Sequence, residues 1–241
     1  TNGALALTVP PGALAAPIVA SLAPFVPLDP ALVGDARLSV FAGAQVDLGG
    51  ASLATPAQLT LPLPAGTDVG DDLLVAVAPR TVLGATRWEL VGLARVDGDT
   101  LVVEPSTTPP LPGIRAGDRY AVVRLLVPAG FVAGTVQDAS GAPAADALVS
   151  ADTLPFIGRT EPGDPRYAVA AAVGDAQIDG LELTRGDEAS VADQVAAPGA
   201  MTALDLALGE SGPRLGGITP PDGAVDIGAV ALLPADFSRP V

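Results

Sequence analysis

The side chains best suited to chemistry in this sequence are aspartates in turns marked by glycine or proline. They occur in Gly70-Asp71-Asp72, Asp97-Gly98-Asp99 and Gly163-Asp164-Pro165. Carboxylate and backbone carbonyl oxygens are the ligands that Ca²⁺ prefers. The pair Asp97 and Asp99 is therefore the candidate calcium site, and no other cofactor is expected. Aspartate is also an ordinary residue of tight turns, so the sequence leaves both interpretations open.

Groups that commonly catalyse reactions are missing from the chain. It has no His, no Cys and no Lys, and all twelve basic residues are Arg. The missing side chains supply most general bases, thiol nucleophiles, Schiff-base amines and soft-metal ligands. Paired carboxylates could hydrolyse glycosides, but aromatic residues, which usually line a sugar cleft, make up only 3% of the chain. We therefore expect no catalytic residues and no enzymatic activity.

Charge and hydropathy limit the classes of partner. The formal net charge is −15, which repels nucleic acid and anionic lipid. No uninterrupted apolar run approaches the length that spans a bilayer, so neither nucleic-acid binding nor direct membrane insertion is expected. The remaining partners are proteins, either neighbouring domains of a longer chain or copies of the same chain.

The apolar pattern predicts an all-β fold. Hydrophobic residues make up 49% of the chain, and Gly and Pro, at 28 and 25 residues, separate short segments of strand-like alternation. Residues 73–78 are apolar throughout, as in a strand buried on both faces. Residues 87–96 and 100–104 flank Asp97-Gly98, which predicts a hairpin. Trp88 alternates with Leu90 and is predicted to lie in the core. These features favour tandem β-sandwich domains of Ig-like or transthyretin-like type.

Two Pro/Gly-rich segments divide the chain. The first lies near Pro128-Ala129-Gly130 and the second at Ser211-Gly212-Pro213. We predict one β-sandwich over residues 1–128 and a second over residues 129–210. Residues 211–241 are a linker followed by the first strands of another Ig-like unit, or alternatively a C-terminal arm that packs on its own chain.

The first predicted domain resembles ZU5-like domains. Residues 5–14 read LALTVPPGAL, where a strand ends at a Pro-Pro-Gly-Ala-Leu corner, and residues 48–62 read LGGASLATPAQLTLP. The strands at Trp88 and at residues 120–123 stand where such domains place later strands. Family members usually have a further strand before the corner, which this sequence lacks. The resemblance implies a β-sandwich used for protein contact or as a spacer.

The second predicted domain resembles carboxypeptidase regulatory-like domains, which are transthyretin-like. The similar segments are GTVQD at 134–138, GAP at 141–143, DALV at 146–149 and YAV at 167–169. Two features depart from the family. The usual acidic–Gly turn is replaced by residues 161–166, and the aromatic residue expected soon after Gly174 is missing.

The end of the sequence is similar to the first strands of bacterial Ig-like repeats, through ITPPDGAVDI at 218–227 and DFSRPV at 236–241. An unpaired terminal strand can complete the sheet of a neighbouring molecule. The residues predicted for such assembly are Ala229, Val230, Leu232 and Phe237.

Three functional hypotheses follow for a protein of the extracellular space or bacterial cell surface. The first is a non-enzymatic structural module that acts as spacer or scaffold. The second is the subunit of an extracellular filament or sheath that assembles by exchange of terminal strands. The third is a surface domain for adhesion or glycan recognition that binds through loops at one end of a sandwich.

Overall fold

The computed structural model describes residues 5–25, 30–70, 72–82, 84–184 and 186–209. Within them the fold is all-β, with one four-residue helical turn, α1 (Pro30–Val33). The strands of the N-terminal part are β1 (Ala6–Thr8), β2 (Ser21–Pro24), β3 (Leu38–Asp47), β4 (Ser52–Pro62), β5 (Leu74–Val82), β6 (Ala85–Asp97), β7 (Thr100–Glu104), β8 (Ile114–Ala116) and β9 (Asp118–Leu125). Those of the C-terminal part are β10 (Ala129–Gln137), β11 (Ala147–Ala151), β12 (Phe156–Arg159), β13 (Arg166–Ala172), β14 (Gly174–Glu182), β15 (Glu188–Val195), β16 (Met201–Ala203) and β17 (Leu206–Ala207).

The N-terminal sandwich (residues 5–128) has two layers. One contains β1, β8 and β7 around β4, and the other contains β2, β3, β9, β5 and β6 in that order. Alternate residues of both layers meet in one apolar cluster, which includes Leu59, Leu61, Leu101 and Tyr120. β6 joins the layers because its first part pairs with β5 and its last five residues pair with β7.

The C-terminal sandwich (residues 129–209) encloses a second cluster. β10 lies between β13 and the short strands β16 and β17, and faces β11, β14 and β15. Val132, Val149, Tyr167 and Ile178 are almost fully buried between these layers. The Tyr167 hydroxyl donates a 2.8 Å hydrogen bond to the Leu204 carbonyl, which gives this buried polar group a partner.

A third apolar cluster, the junction core, joins the two sandwiches. It combines Val75, Val77 and Trp88 from the N-terminal sandwich with Phe131 and Phe156 from the C-terminal one. All five are at most 3% exposed. β5 and β9 therefore have an apolar cluster on each face, which explains the unbroken apolar runs in their sequences.

The sheet also continues across the junction. β12 pairs in parallel with β6, so that Phe156 lies opposite Trp88 and Ile157 opposite Glu89. β12 then pairs with β11, and the path continues through β14 to β15. β12 also crosses closely over β13 at Gly158. A Cβ at this position would lie only 2.3 Å from the Ala168 carbonyl oxygen, so the crossing requires glycine. The two sandwiches thus share both a sheet and a core.

Several sequence predictions are confirmed at the level of strands. Residues 74–78 are buried throughout, Trp88 is a core residue, and β6 and β7 form the predicted hairpin, in which Asp97 pairs with Thr100. Gly98 has a φ of 62°, the left-handed conformation that such a turn requires.

Candidate functional site

Asp97 and Asp99 lie at the β6–β7 turn, on the exposed side of the hairpin. The Asp97 carboxylate is 3.2 Å from the Arg95 guanidinium, and its carbonyl accepts a 2.8 Å hydrogen bond from the Thr100 hydroxyl. The Asp99 carbonyl accepts a hydrogen bond from the Leu63 N–H. The turn therefore directs the Asp97 carboxylate toward an arginine, while one of its backbone oxygens closes the turn and the other bonds to the residue after β4.

Two aspartates of the other candidate turns, Asp72 and Asp164, are also paired with arginine. Asp72 forms an ion pair with Arg124, and Asp164 forms one with Arg166 at 2.5 Å. The hydrogen bonds from Arg166 lower the pKa of Asp164 below its usual value. In the part of the chain that the structure describes, no group of three or more acidic side chains lies close enough to hold a metal ion. Calcium binding at Asp97 and Asp99 stays a prediction.

The residues predicted for assembly are not described by the structure. Ala229, Val230, Leu232 and Phe237 lie outside the described residues. Within the described ranges, no helix is long and apolar enough to cross a bilayer.

Sequence reasoning missed a buried charged cluster beside the junction. The Arg80 guanidinium lies between the carboxylates of Glu89 and Asp118 and forms ion pairs with both. The Glu89 side chain is 6% exposed, whereas that of Asp118 is 24% exposed. Burial raises the pKa of Glu89, and the neighbouring Arg80 charge opposes that rise. The sequence signal was a lone carboxylate between Trp88 and Leu90, in residues 88–94 of β6, which are otherwise apolar.

The position of this cluster ties it to the junction core. Glu89 follows Trp88 on β6 and lies opposite Ile157 of β12. The charges of Arg159 and Glu161, from the C-terminal sandwich, also act on the Glu89 carboxyl. An ionised carboxylate at this depth is tolerated only while a cation compensates it, so Arg80 is needed where the sandwiches meet.

A concave surface lies next to the same junction. A groove of about 800 Å³ runs over β11, β12, β14 and β15, with Arg37 and Arg87 of the N-terminal sandwich on one wall. Its floor is apolar at Ile157 and Leu181, and its rim carries Ser190. Among the residues that line it, the one aromatic side chain is Phe156, which is fully buried. The described lining of the groove therefore exposes no aromatic ring.

Compared with models of known protein families and with curated protein sequences, the chain gives no significant match. The likeness to ZU5-like, carboxypeptidase regulatory-like and Ig-like domains therefore rests on the motifs quoted above.

Proposed function

We propose that this chain is a non-enzymatic structural module of a secreted or cell-surface bacterial protein, in which it acts as a rigid spacer or scaffold. The observation that carries the proposal is the junction core. A spacer must hold the parts attached to its ends at a fixed separation and angle, and an apolar core shared by two domains resists hinge motion between them.

The contacts at the junction support rigidity in two ways. Trp88, Phe131 and Phe156 bury large apolar surfaces between the sandwiches, and that area would be exposed to water if they separated. The pairing of β12 with β6 adds backbone hydrogen bonding across the same boundary. Opening a hinge would break both interactions together.

The chemistry of the chain agrees with a structural role. Three of the turn aspartates, Asp72, Asp97 and Asp164, are each directed at an arginine. The buried carboxylate of Glu89 is held by Arg80 inside the fold, and it is not among the residues that line the groove. The motifs that resemble ZU5-like domains add support, because such domains serve as spacers and contact modules.

Distance measurement between spin labels tests the rigidity. Since the native sequence has no Cys, the exposed residues Thr55 of β4 and Ala192 of β15 can be changed to cysteine and labelled selectively. The expected result is a single distance distribution, as narrow as that of the control pair Thr55→Cys and Thr86→Cys within the N-terminal sandwich. A distribution several times broader than the control would refute a rigid spacer.

Light scattering distinguishes the proposal from the filament hypothesis. A spacer keeps a mass near 23.7 kDa over a hundredfold range of concentration. A mass that grows with concentration would make self-assembly the function instead.

A further inference from the structure

A smaller cavity, the junction pocket, lies between the β7–β8 loop of the N-terminal sandwich and the β12–β13 loop of the C-terminal one. It has a volume of about 220 Å³. Three of the twelve arginines of the chain line it, namely Arg115 of β8, Arg159 of β12 and Arg166 of β13. Positive charge is therefore concentrated where the sandwiches meet, in a chain whose net charge is −15.

Arg115 is held in place by main-chain carbonyls. Its Nε donates a 2.9 Å hydrogen bond to the Pro112 carbonyl, and one terminal nitrogen donates a 2.7 Å hydrogen bond to the Ala54 carbonyl. Its other terminal nitrogen donates no hydrogen bond to a described residue, and no carboxylate in the described ranges forms an ion pair with it. The carbonyl dipoles orient this guanidinium without neutralising its charge.

The other two arginines are compensated in different places. Both oxygens of the Asp164 carboxylate accept hydrogen bonds from Arg166, at 2.8 and 2.5 Å, inside the pocket. Arg159 donates to the Asp146 carboxylate at 2.5 Å, but Asp146 is not one of the residues that line the pocket. The remaining charged residue of the lining is Glu161, which is exposed. The described lining thus carries three positive charges and two negative ones.

Backbone hydrogen bonds fix both walls of the pocket. On the side of the N-terminal sandwich, the Gly113 N–H donates to the Val91 carbonyl at 2.8 Å and anchors the end of the β7–β8 loop. On the other side, Glu161 and Asp164 exchange two backbone hydrogen bonds, at 3.0 and 2.9 Å, which close the β12–β13 loop. A site with walls that are held before a ligand arrives loses little conformational entropy on binding.

We propose that the junction pocket binds a small oxyanion, a phosphate or a carboxylate, with Arg115 and Arg159 as its donors from the two sandwiches. A guanidinium presents its N–H groups in a planar fork that matches the oxygens of both anions. The net charge of the chain does not prevent this, because exposed charges more than about 8 Å away are largely screened at physiological ionic strength. The inference goes beyond the spacer function, which requires no ligand.

An NMR titration of the full chain with inorganic phosphate tests the site. Sodium phosphate is added at pH 7, and sodium chloride at the same ionic strength serves as the control. The expected result is a saturable shift of the Gly113 and Arg115 amide signals on one wall and of the Glu161 and Gly163 signals on the other, all with one dissociation constant. Chloride should leave these signals almost unchanged. A parallel titration with acetate shows whether a phosphate or a carboxylate binds more tightly.

Three variants of the lining give the expected direction of each effect. Arg115→Gln and Arg159→Gln, made separately, should each weaken phosphate binding at least about tenfold, because each removes charge-assisted hydrogen bonds. Glu161→Gln should strengthen binding about twofold, because it removes a negative charge from the wall. The matched control is Arg119→Gln, which removes one positive charge from an exposed residue of β9 that does not line the pocket and should leave binding unchanged. The fluorescence of Trp88 reports that each variant remains folded.

Three results would overturn the proposal. The first is a set of phosphate shifts no larger than those with chloride, and the second is an equal loss of binding in Arg115→Gln and Arg119→Gln. The third is weaker binding in Glu161→Gln, which would mean that the pocket does not select a negative charge. The spin-label distances are measured without added phosphate, so failure of the oxyanion site and failure of the spacer remain distinguishable.

Discussion

Replacing Phe156 with alanine should destabilise both sandwiches together. Phe156 is fully buried, lies opposite Trp88 across the β12–β6 pairing and belongs to the junction core. Truncating a buried Phe to Ala costs about 3–5 kcal/mol of unfolding free energy, from lost burial and the cavity that remains. For a chain of this size, a loss of about 4 kcal/mol corresponds to a midpoint temperature about 8–16 °C lower.

Urea unfolding followed by fluorescence measures this effect, because Trp88 is the only Trp and lies in the junction core. The matched control is Phe41→Ala, which removes the same atoms from a partly buried position on the N-terminal cluster alone. The control should lose less stability, since Phe41 already contacts water. A loss below about 1 kcal/mol for Phe156→Ala, outside the range for a buried phenylalanine, would refute the view that this contact joins the sandwiches.

Two further variants test the charged groups. Arg80→Met leaves the carboxylates of Glu89 and Asp118 without their cation and should lower the unfolding free energy by about 3 kcal/mol at pH 7. Burial raises the pKa of Glu89, so ionising its carboxyl costs unfolding free energy once the pH rises above the usual pKa of Glu. The free energy lost in Arg80→Met, measured by urea unfolding, should therefore be smaller near pH 4 than at pH 7. A loss that does not change with pH would contradict the role of Arg80 as the cation that compensates Glu89. Asp205 accepts hydrogen bonds from the Thr135 N–H and hydroxyl at 2.7 and 2.8 Å, which lower its pKa. The Asp205 carboxylate therefore stabilises the fold above the usual pKa of Asp, and this stabilisation is lost as the pH falls through its lowered pKa in the folded protein. Asp205→Asn should reduce the difference in thermal stability between pH 7 and pH 3. An unchanged difference would argue against these hydrogen bonds as a source of stability.

Much of the fold could be predicted because local patterns agreed with it. Residues 73–78 have no polar position, so a strand made of them must be covered by apolar residues on both faces. The N-terminal cluster covers one face of β5, and the junction core covers the other. Asp97-Gly98 marked the hairpin through its turn chemistry. In both cases the information lies within a few neighbouring residues.

The features that were missed depend on tertiary contacts. β12 is four residues long, and its partner in β6 lies about seventy residues away, so no local pattern signalled the pairing. β15 alternates only weakly and is defined mainly by its neighbour β14. The ion pair of Asp72 with Arg124 likewise forms only in the folded chain, so from the sequence this aspartate could be interpreted only as a turn residue or as a cation ligand.

The most direct test of the central claim, that a shared core makes the two sandwiches one rigid unit, is hydrogen exchange of the full chain at increasing urea concentrations. Peptides from β9 in the N-terminal sandwich and from β14 in the C-terminal sandwich are followed in the same samples. A shared core predicts that both lose protection at the same urea midpoint. Midpoints clearly separated from each other would mean that the sandwiches unfold independently and would contradict the account.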